Sequence, residues 1–320
     1  MTTGKLALLD DYQDVALDHT DWRKLGGWEV HPFHTRLAGD DLVAALQGFT
    51  AAATVGGRTA FPADVLAQLP DLKLIIGAGS DTPGARVVDP DAAARAGVSV
   101  VELPQDPRTT AELVWALALA AIRRMPQQQK ALRAGDWKPE LGRRLAGKTL
   151  GLLGVDPVNT ILAGYARAFG MDVVAWDPDL TDEAAAGLGA ARAELVVDLC
   201  AAAHIVSVRL PLNERTRNLL TPAELTAIGG DGVLVNTSAS GVADPFAILA
   251  ALHEDSLGAA ALDAHEEEPL PASSHIHDTP NTLLTPRLGF ATEEDYDELY
   301  SAVRAAVAEW AAGQAQASAA

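Results

Sequence analysis

The chain holds a single cysteine, Cys200, among its 320 residues, so no disulfide can form within it. Aromatic residues make up only 5%. Basic residues are scarce beside acidic ones, 24 Lys and Arg against 43 Asp and Glu, for a formal net charge of -19. Binding a nucleic acid or an anionic membrane needs a basic face that neutralises phosphate, so neither partner is expected, and the acidity reads as solubility. Long apolar runs are also missing. The longest, "LVWALALAAI" from Leu113 to Ile122, is too short to span a bilayer, is bounded by Glu112 and Arg123, and reads as a buried helix. The opening "MTTGKLALLDDYQ" lacks the charged-then-apolar pattern of a secretory signal, which sets a cytoplasmic location as the expectation.

What is present is an ordinary globular composition, 48% hydrophobic and 21% charged, with length enough for two domains. The first third alternates short β-like runs ("KLALLD", "AAATVGG", "LKLIIGAG", "VSVVEL") with helical stretches ("DDLVAALQGF", "PADVLAQLP", "DPDAAARAG"). That alternation implies a parallel sheet with crossover helices. After a break at Pro104 to Pro107, the stretch from Arg108 to Gly135 reads as one long helix interrupted only by Pro126. A second α/β series follows, with strands expected at "TLGLLG", "DVVAWD", "AELVVD", "HIVSVRL", "GVLVNTS", "GAAALDA" and "NTLLTP". A closing helix, "TEEDYDELYSAVRAAVAEWAAG", precedes a low-complexity tail, "QAQASAA", expected to fray.

Several segments in order resemble the D-isomer-specific 2-hydroxyacid dehydrogenases: "LDDYQDVAL", "GAGSD", "TTAELVWALALAAIRR", "LAGKTLGLLG", "VSVRLPLNERTRNLL", "VLVNTSASG", "AALDAHEEEPLP" and "LLTPRLGFATEE". The resemblance implies two Rossmann-like, doubly wound parallel-sheet domains of α/β class. A discontinuous flavodoxin-like substrate domain over 1–104 and 289–320 would surround a dinucleotide-binding-type domain over 105–288. It also implies a small-molecule site in the interdomain cleft and a homodimer.

Against that family the chain departs at defined positions. Its dinucleotide turn keeps Gly154, but Asp156 and Asn159 stand where the second and third glycines belong. Those glycines let the backbone approach the pyrophosphate and the helix pack close to its strand. A carboxylate there meets a diphosphate as a like charge, Pro157 donates no N–H, and Asn159 adds bulk at the helix–strand contact. Asp156 can equally cap the helix with no ligand present. Asp177, 23 positions after Gly154, falls where a ribose-binding acid belongs, and Asp263 and Thr109 match further cofactor contacts.

In the catalytic segments Glu268 matches the family's acid, while Ala239 replaces its substrate-gripping arginine and Arg287 its histidine. Arginine stays protonated near neutrality and cannot shuttle a proton as imidazole does. The two can form an ion pair, or Arg287 can serve an anion or oxyanion with Glu268 as general base. Arg58, Gly77, Gly79 and Ser80 are the substrate-side candidates, the last three as a loop whose N–H groups cradle a carboxylate.

No metal site is expected, because the histidines of "HPFH" and "HIHD" lack a fixed third ligand. Trp115, Trp176, Tyr296 and Tyr300 read as packing groups. The expected function is therefore a family member that has lost NAD-dependent hydride transfer by the inherited route and binds or transforms a small molecule, with no cofactor expected. A non-catalytic scaffold or regulatory pseudoenzyme is a variant of that reading. The alternative is an active NAD(P)-dependent oxidoreductase with non-standard catalytic residues.

Overall fold

The computed structural model describes residues 3–79, 83, 86–138 and 140–319. The chain divides into two compact units, one formed by the chain up to residue 79 with residues 86–106 and from Phe290 onward, the other by Pro107–Gly289.

The first unit carries strands β1 (Gly4–Leu9), β2 (Trp28–Pro32), β3 (Ala51–Val55), β4 (Leu74–Ala78) and β5 (Ser99–Leu103) and helices α1 (Gly39–Ala45), α2 (Ala63–Leu66) and α3 (Pro90–Ala96). All its strand pairs are parallel, in the order β2-β1-β3-β4-β5. Alternate residues of one strand face opposite sides of a sheet, and β1 shows why both sides need covering. Leu6 and Leu8 join one core and Ala7 and Leu9 the other, all at most 1% exposed. Strands buried on both faces read as continuous apolar runs, as "LALL" and "AAATV" do.

Pro107–Gly289 carries α4 (Pro107–Ile122), α5 (Met125–Arg133), β6 (Thr149–Leu153), α6 (Pro157–Ala168), β7 (Asp172–Trp176), α7 (Asp182–Gly187), β8 (Ala191–Arg192), α8 (Val196–Ala202), β9 (Ile205–Val208), α9 (Pro222–Ile228), β10 (Gly229–Asn236), α10 (Pro245–His253), β11 (Leu257–Leu262) and β12 (Thr282–Leu284). Its seven-stranded sheet is parallel throughout, ordered β12-β11-β10-β9-β6-β7-β8. Helices α4 and α6 cover one face and α8, α9 and α10 the other. Strand order reverses between β6 and β9, and ligands of open α/β sheets bind beyond the carboxyl ends at such a point. In the five-stranded sheet the corresponding point lies between β1 and β3.

The α/β class with two parallel sheets is as the sequence implies, with local corrections. The edge strand β2 escapes pattern reading because it carries an exposed Glu29 and a half-buried Pro32. The long helix is two helices, α4 and α5, broken at Arg124, whose φ of 52° is left-handed. "AELVVD" is not a strand: β8 ends at Arg192, and Val196 and Val197 open α8. Helix α11 (Glu293–Ala319) continues into the expected frayed tail as far as Ala319, where Gln and Ala residues favour a helix. Tyr296 and Tyr300 of α11 pack stacked, 5.8 Å between centroids, and Trp115 packs against Tyr165 and Phe169. Among the described residues no helix is long and apolar enough to cross a membrane.

Leu152 is wholly buried in β6, between β7 and β9 and one residue pair before the turn at Gly154. Leu152→Ala is expected to lower unfolding free energy by about 3 kcal/mol through lost burial and an unfilled cavity, measurable by urea denaturation.

Candidate functional site

The turn after β6 is built from its glycine outward. Gly154 has φ of 95°, and a Cβ there would overlap the backbone carbonyl of Arg209 beyond β9, so only glycine fits. The chain then enters α6 with Asp156 as N-cap: its Oδ1 accepts from the Asn159 N–H at 2.8 Å. Its Oδ2 accepts from the Arg209 Nε at 2.9 Å. The Arg209 side chain is only 3% exposed, and its Nη1 also donates to the Thr237 carbonyl at 2.8 Å beyond the end of β10. Asn159 is fully buried, its Nδ2 donating to the Gly154 carbonyl and its Oδ1 accepting from the Ser207 hydroxyl, both at 2.7 Å.

Two expectations are corrected by this arrangement. Asp156 is not a lone carboxylate facing an anion, because a guanidinium sits against it. Asn159 is not misfitting bulk, because both ends of its amide are bonded. Arg209 was not singled out from the sequence, although a charged residue ending the apolar run "HIVSV" is a visible signal.

A nicotinamide dinucleotide needs an acid for its ribose and open backbone N–H groups for its pyrophosphate. Asp177 stands at the end of β7, its Oδ2 accepting from the Val155 N–H at 3.0 Å and its Oδ1 from the Asp179 N–H at 3.1 Å. At the pyrophosphate the residues do not fit: the Asn159 N–H is taken by Asp156, and Pro157 has none to give. Thr109 lies half-buried in the first turn of α4.

Beyond β11 and β12 a second constellation forms. The Arg287 Nε donates to the Glu268 Oε1 at 2.8 Å, and its Nη1 reaches the Ser238 carbonyl at 3.4 Å. Glu268 Oε1 also accepts from the His265 N–H at 3.0 Å, so the carboxylate is fixed from its own loop. Arg287 has φ of 59°, and the backbone after it is pinned by Asp263, which accepts from the N–H groups of Leu288 at 2.8 Å and Gly289 at 3.0 Å. Burial raises the Asp263 carboxyl above the usual range, against those hydrogen bonds and the nearby Arg287 charge. Ala239 is buried, and its carbonyl accepts from the Asn236 side chain at 3.0 Å.

In the first unit, Arg58 lies over the rings of Tyr12 and Phe290, 4.9 and 5.2 Å from their centroids. Beside it Asp10, at the end of β1, receives the Thr59 hydroxyl on both oxygens, at 3.0 and 2.9 Å. Gly77 lies in β4 and Gly79 just follows it, with φ of 69°, and Ser80 lies outside the described residues. His34 of "HPFH" comes near Asp11 and Asp14, but the Asp11 carboxylate already holds the N–H groups of Val15 and Ala16.

The family model described as "D-isomer specific 2-hydroxyacid dehydrogenase, NAD binding domain" matches residues 115–289, more than half of the chain. The chain belongs to that family. It is 34% identical over 234 residues to a D-3-phosphoglycerate dehydrogenase of Methanocaldococcus jannaschii, covering 72% of this chain and 44% of that one. It is 35% identical over 243 residues to a glyoxylate reductase of Aeropyrum pernix, covering 72% and 71%. It thus spans less than half of the first relative's length. Among solved structures, a phosphoglycerate oxidoreductase from Vibrio cholerae superposes with a TM-score of 0.87 at 32% identity, covering 97% of this chain and 100% of that one. Nothing in these comparisons speaks for the expected loss of activity.

Two outcomes test the geometry. Asp156→Ala takes from a buried guanidinium the carboxylate its Nε donates to and should cost about 3 to 5 kcal/mol, whereas the double change Asp156→Ala with Arg209→Met should recover most of that loss. Chemical denaturation of the three proteins measures both. Burial also pushes the Asp10 carboxyl up to about 6, against the Thr59 hydrogen bond and the Arg58 charge. The folded protein keeps that proton longer than the unfolded chain. Stability from this group is therefore full below about pH 4 and lost as pH rises through the folded value, about 3 kcal/mol in all. Asp10→Asn, which the φ of 67° tolerates, should be more stable than the parent near pH 7, with the gap closing towards pH 4 in melting-temperature profiles.

Proposed function

We propose that Pro107–Gly289 recognises a small organic anion of the 2-hydroxy or 2-oxo acid class, with Arg287 as the cation and Glu268 as the carboxylate that aims it. The carrying observation is the 2.8 Å bond from the Arg287 Nε to the Glu268 Oε1. Anchoring by Nε orients a planar guanidinium, whose fork matches a carboxylate or a developing oxyanion. The Arg287 side chain is 17% exposed, enough to reach from solvent. A permanent cation binds and polarises but does not relay a proton, so any proton transfer falls to Glu268 or water.

Two uses of such a site are favoured by different observations. The names of the relatives, a dehydrogenase and a reductase, support an NAD(P)-dependent oxidoreductase working with non-standard catalytic residues. The occupied turn at Asp156 supports a protein that has left the inherited hydride transfer and binds or transforms its anion by another route.

The test of the anion site is calorimetric titration of the protein with glyoxylate and with D-3-phosphoglycerate, without cofactor. Arg287→Ala should weaken binding at least tenfold, and Arg287→Lys should restore part of it, since charge returns without the fork. Unchanged affinity in Arg287→Ala rules the site out. Absorbance of NADH and NADPH followed with glyoxylate then separates the two uses: turnover selects the oxidoreductase, and binding without turnover selects the other.

A further inference from the structure

A helix N-terminus presents unsatisfied N–H groups and partial positive charge, and in a working dinucleotide turn a phosphate occupies it. In this chain the helix start is present with a buried cation beside it, and so is an anion. The Asp156 carboxylate takes the Asn159 N–H of α6 at 2.8 Å with one oxygen and the Arg209 Nε at 2.9 Å with the other. It does so where the order of the seven-stranded sheet reverses, between the carboxyl ends of β6 and β9. Arg209 is built in rather than adventitious: its side chain is 3% exposed, and the Thr237 carbonyl and hydroxyl accept from its Nη1 at 2.8 and 3.3 Å.

We infer that Asp156 is an internal ligand, a carboxylate of the chain held in the place of a cofactor phosphate by α6 and Arg209, and that this side chain closes the turn to diphosphates. A one-charge carboxylate with two oxygens satisfies what two donors require, and Arg209 makes the exchange self-consistent by balancing the buried charge. Asn159 fits the same account. Its amide bridges the Gly154 carbonyl and the Ser207 hydroxyl, so the helix stays seated on the sheet without a glycine at that position. The inference stands apart from the anion site at Arg287, which lies beyond β12 and uses other residues.

The experiment measures binding of inorganic pyrophosphate, ADP and NADH to the full chain by calorimetry and thermal shift, with folding checked by circular dichroism. The parent protein should bind none of them below millimolar concentration. Asp156→Gly vacates the position, and Asp156→Ser keeps a neutral cap should the glycine variant fail to fold. Either should gain at least tenfold in affinity for pyrophosphate and ADP, and adding Arg209→Met to Asp156→Ser should abolish the gain. Micromolar binding of pyrophosphate or NADH by the parent overturns the inference. A folded Asp156→Ser protein that gains nothing overturns it as well. Loss of glyoxylate binding in Arg287→Ala bears only on the other site, so the two can fail separately.

Discussion

An arginine side chain only 3% exposed cannot rest among strand ends without a counter-charge, and the chain around β6, β9 and β10 is arranged to provide one. Arg209 leaves β9 where the sheet reverses its order. Its carbonyl presses so close to Gly154 that no side chain fits there, while its guanidinium reaches the Thr237 carbonyl and the cap of α6. Three strand ends and one helix start thus meet at one residue. Such a pair adds little net stability over a well-packed apolar substitute, but losing either partner is costly, so the two residues constrain one another.

The five-stranded sheet poses the same problem at its own reversal and answers it differently. Asp10 follows β1 and Thr59 follows β3, so a carboxyl again lies buried beyond the carboxyl ends of the two strands flanking the crossover. Here its hydrogen-bond donor is a hydroxyl, and the charges of Arg58 and Arg36 act as lesser influences. Burial outweighs them, and the proton stays on to about pH 6. A neutral donor leaves most of the desolvation cost standing, which a cation in contact would offset.

Much of the architecture is legible in the sequence because parallel strands buried on both faces write themselves as apolar runs. The same signal misleads at "AELVVD", where two adjacent valines belong to a helix facing the sheet. It is silent at β2, whose outer position leaves Glu29 exposed. The candidate site is legible as to which residues draw attention, namely Asp156, Asn159, Ala239 and Arg287. What these side chains bond to is not legible, because their partners lie far along the chain. Arg209 is 53 positions from Asp156, Ser207 is 48 from Asn159, and Arg287 is 19 from Glu268. Local pattern shows that a glycine is absent; only folding shows which side chain has taken over its neighbours.

That distinction alters the physics of the cofactor turn. An isolated carboxylate would repel a diphosphate by about 1 kcal/mol per charge pair at 4 Å in water, an effect that salt screens within about a Debye length. Paired with Arg209, Asp156 presents a dipole rather than a net charge, and most of that repulsion is cancelled. What persists is occupancy: the Asn159 N–H and the Arg209 Nε already have an acceptor, and the position where backbone should approach phosphate holds a side chain. Raising ionic strength relieves repulsion but cannot vacate an occupied donor. The closure proposed for this turn is therefore a matter of hydrogen-bond competition within the Asp156–Arg209 pair, insensitive to salt, and set by the one residue that stands where a glycine would leave the helix open.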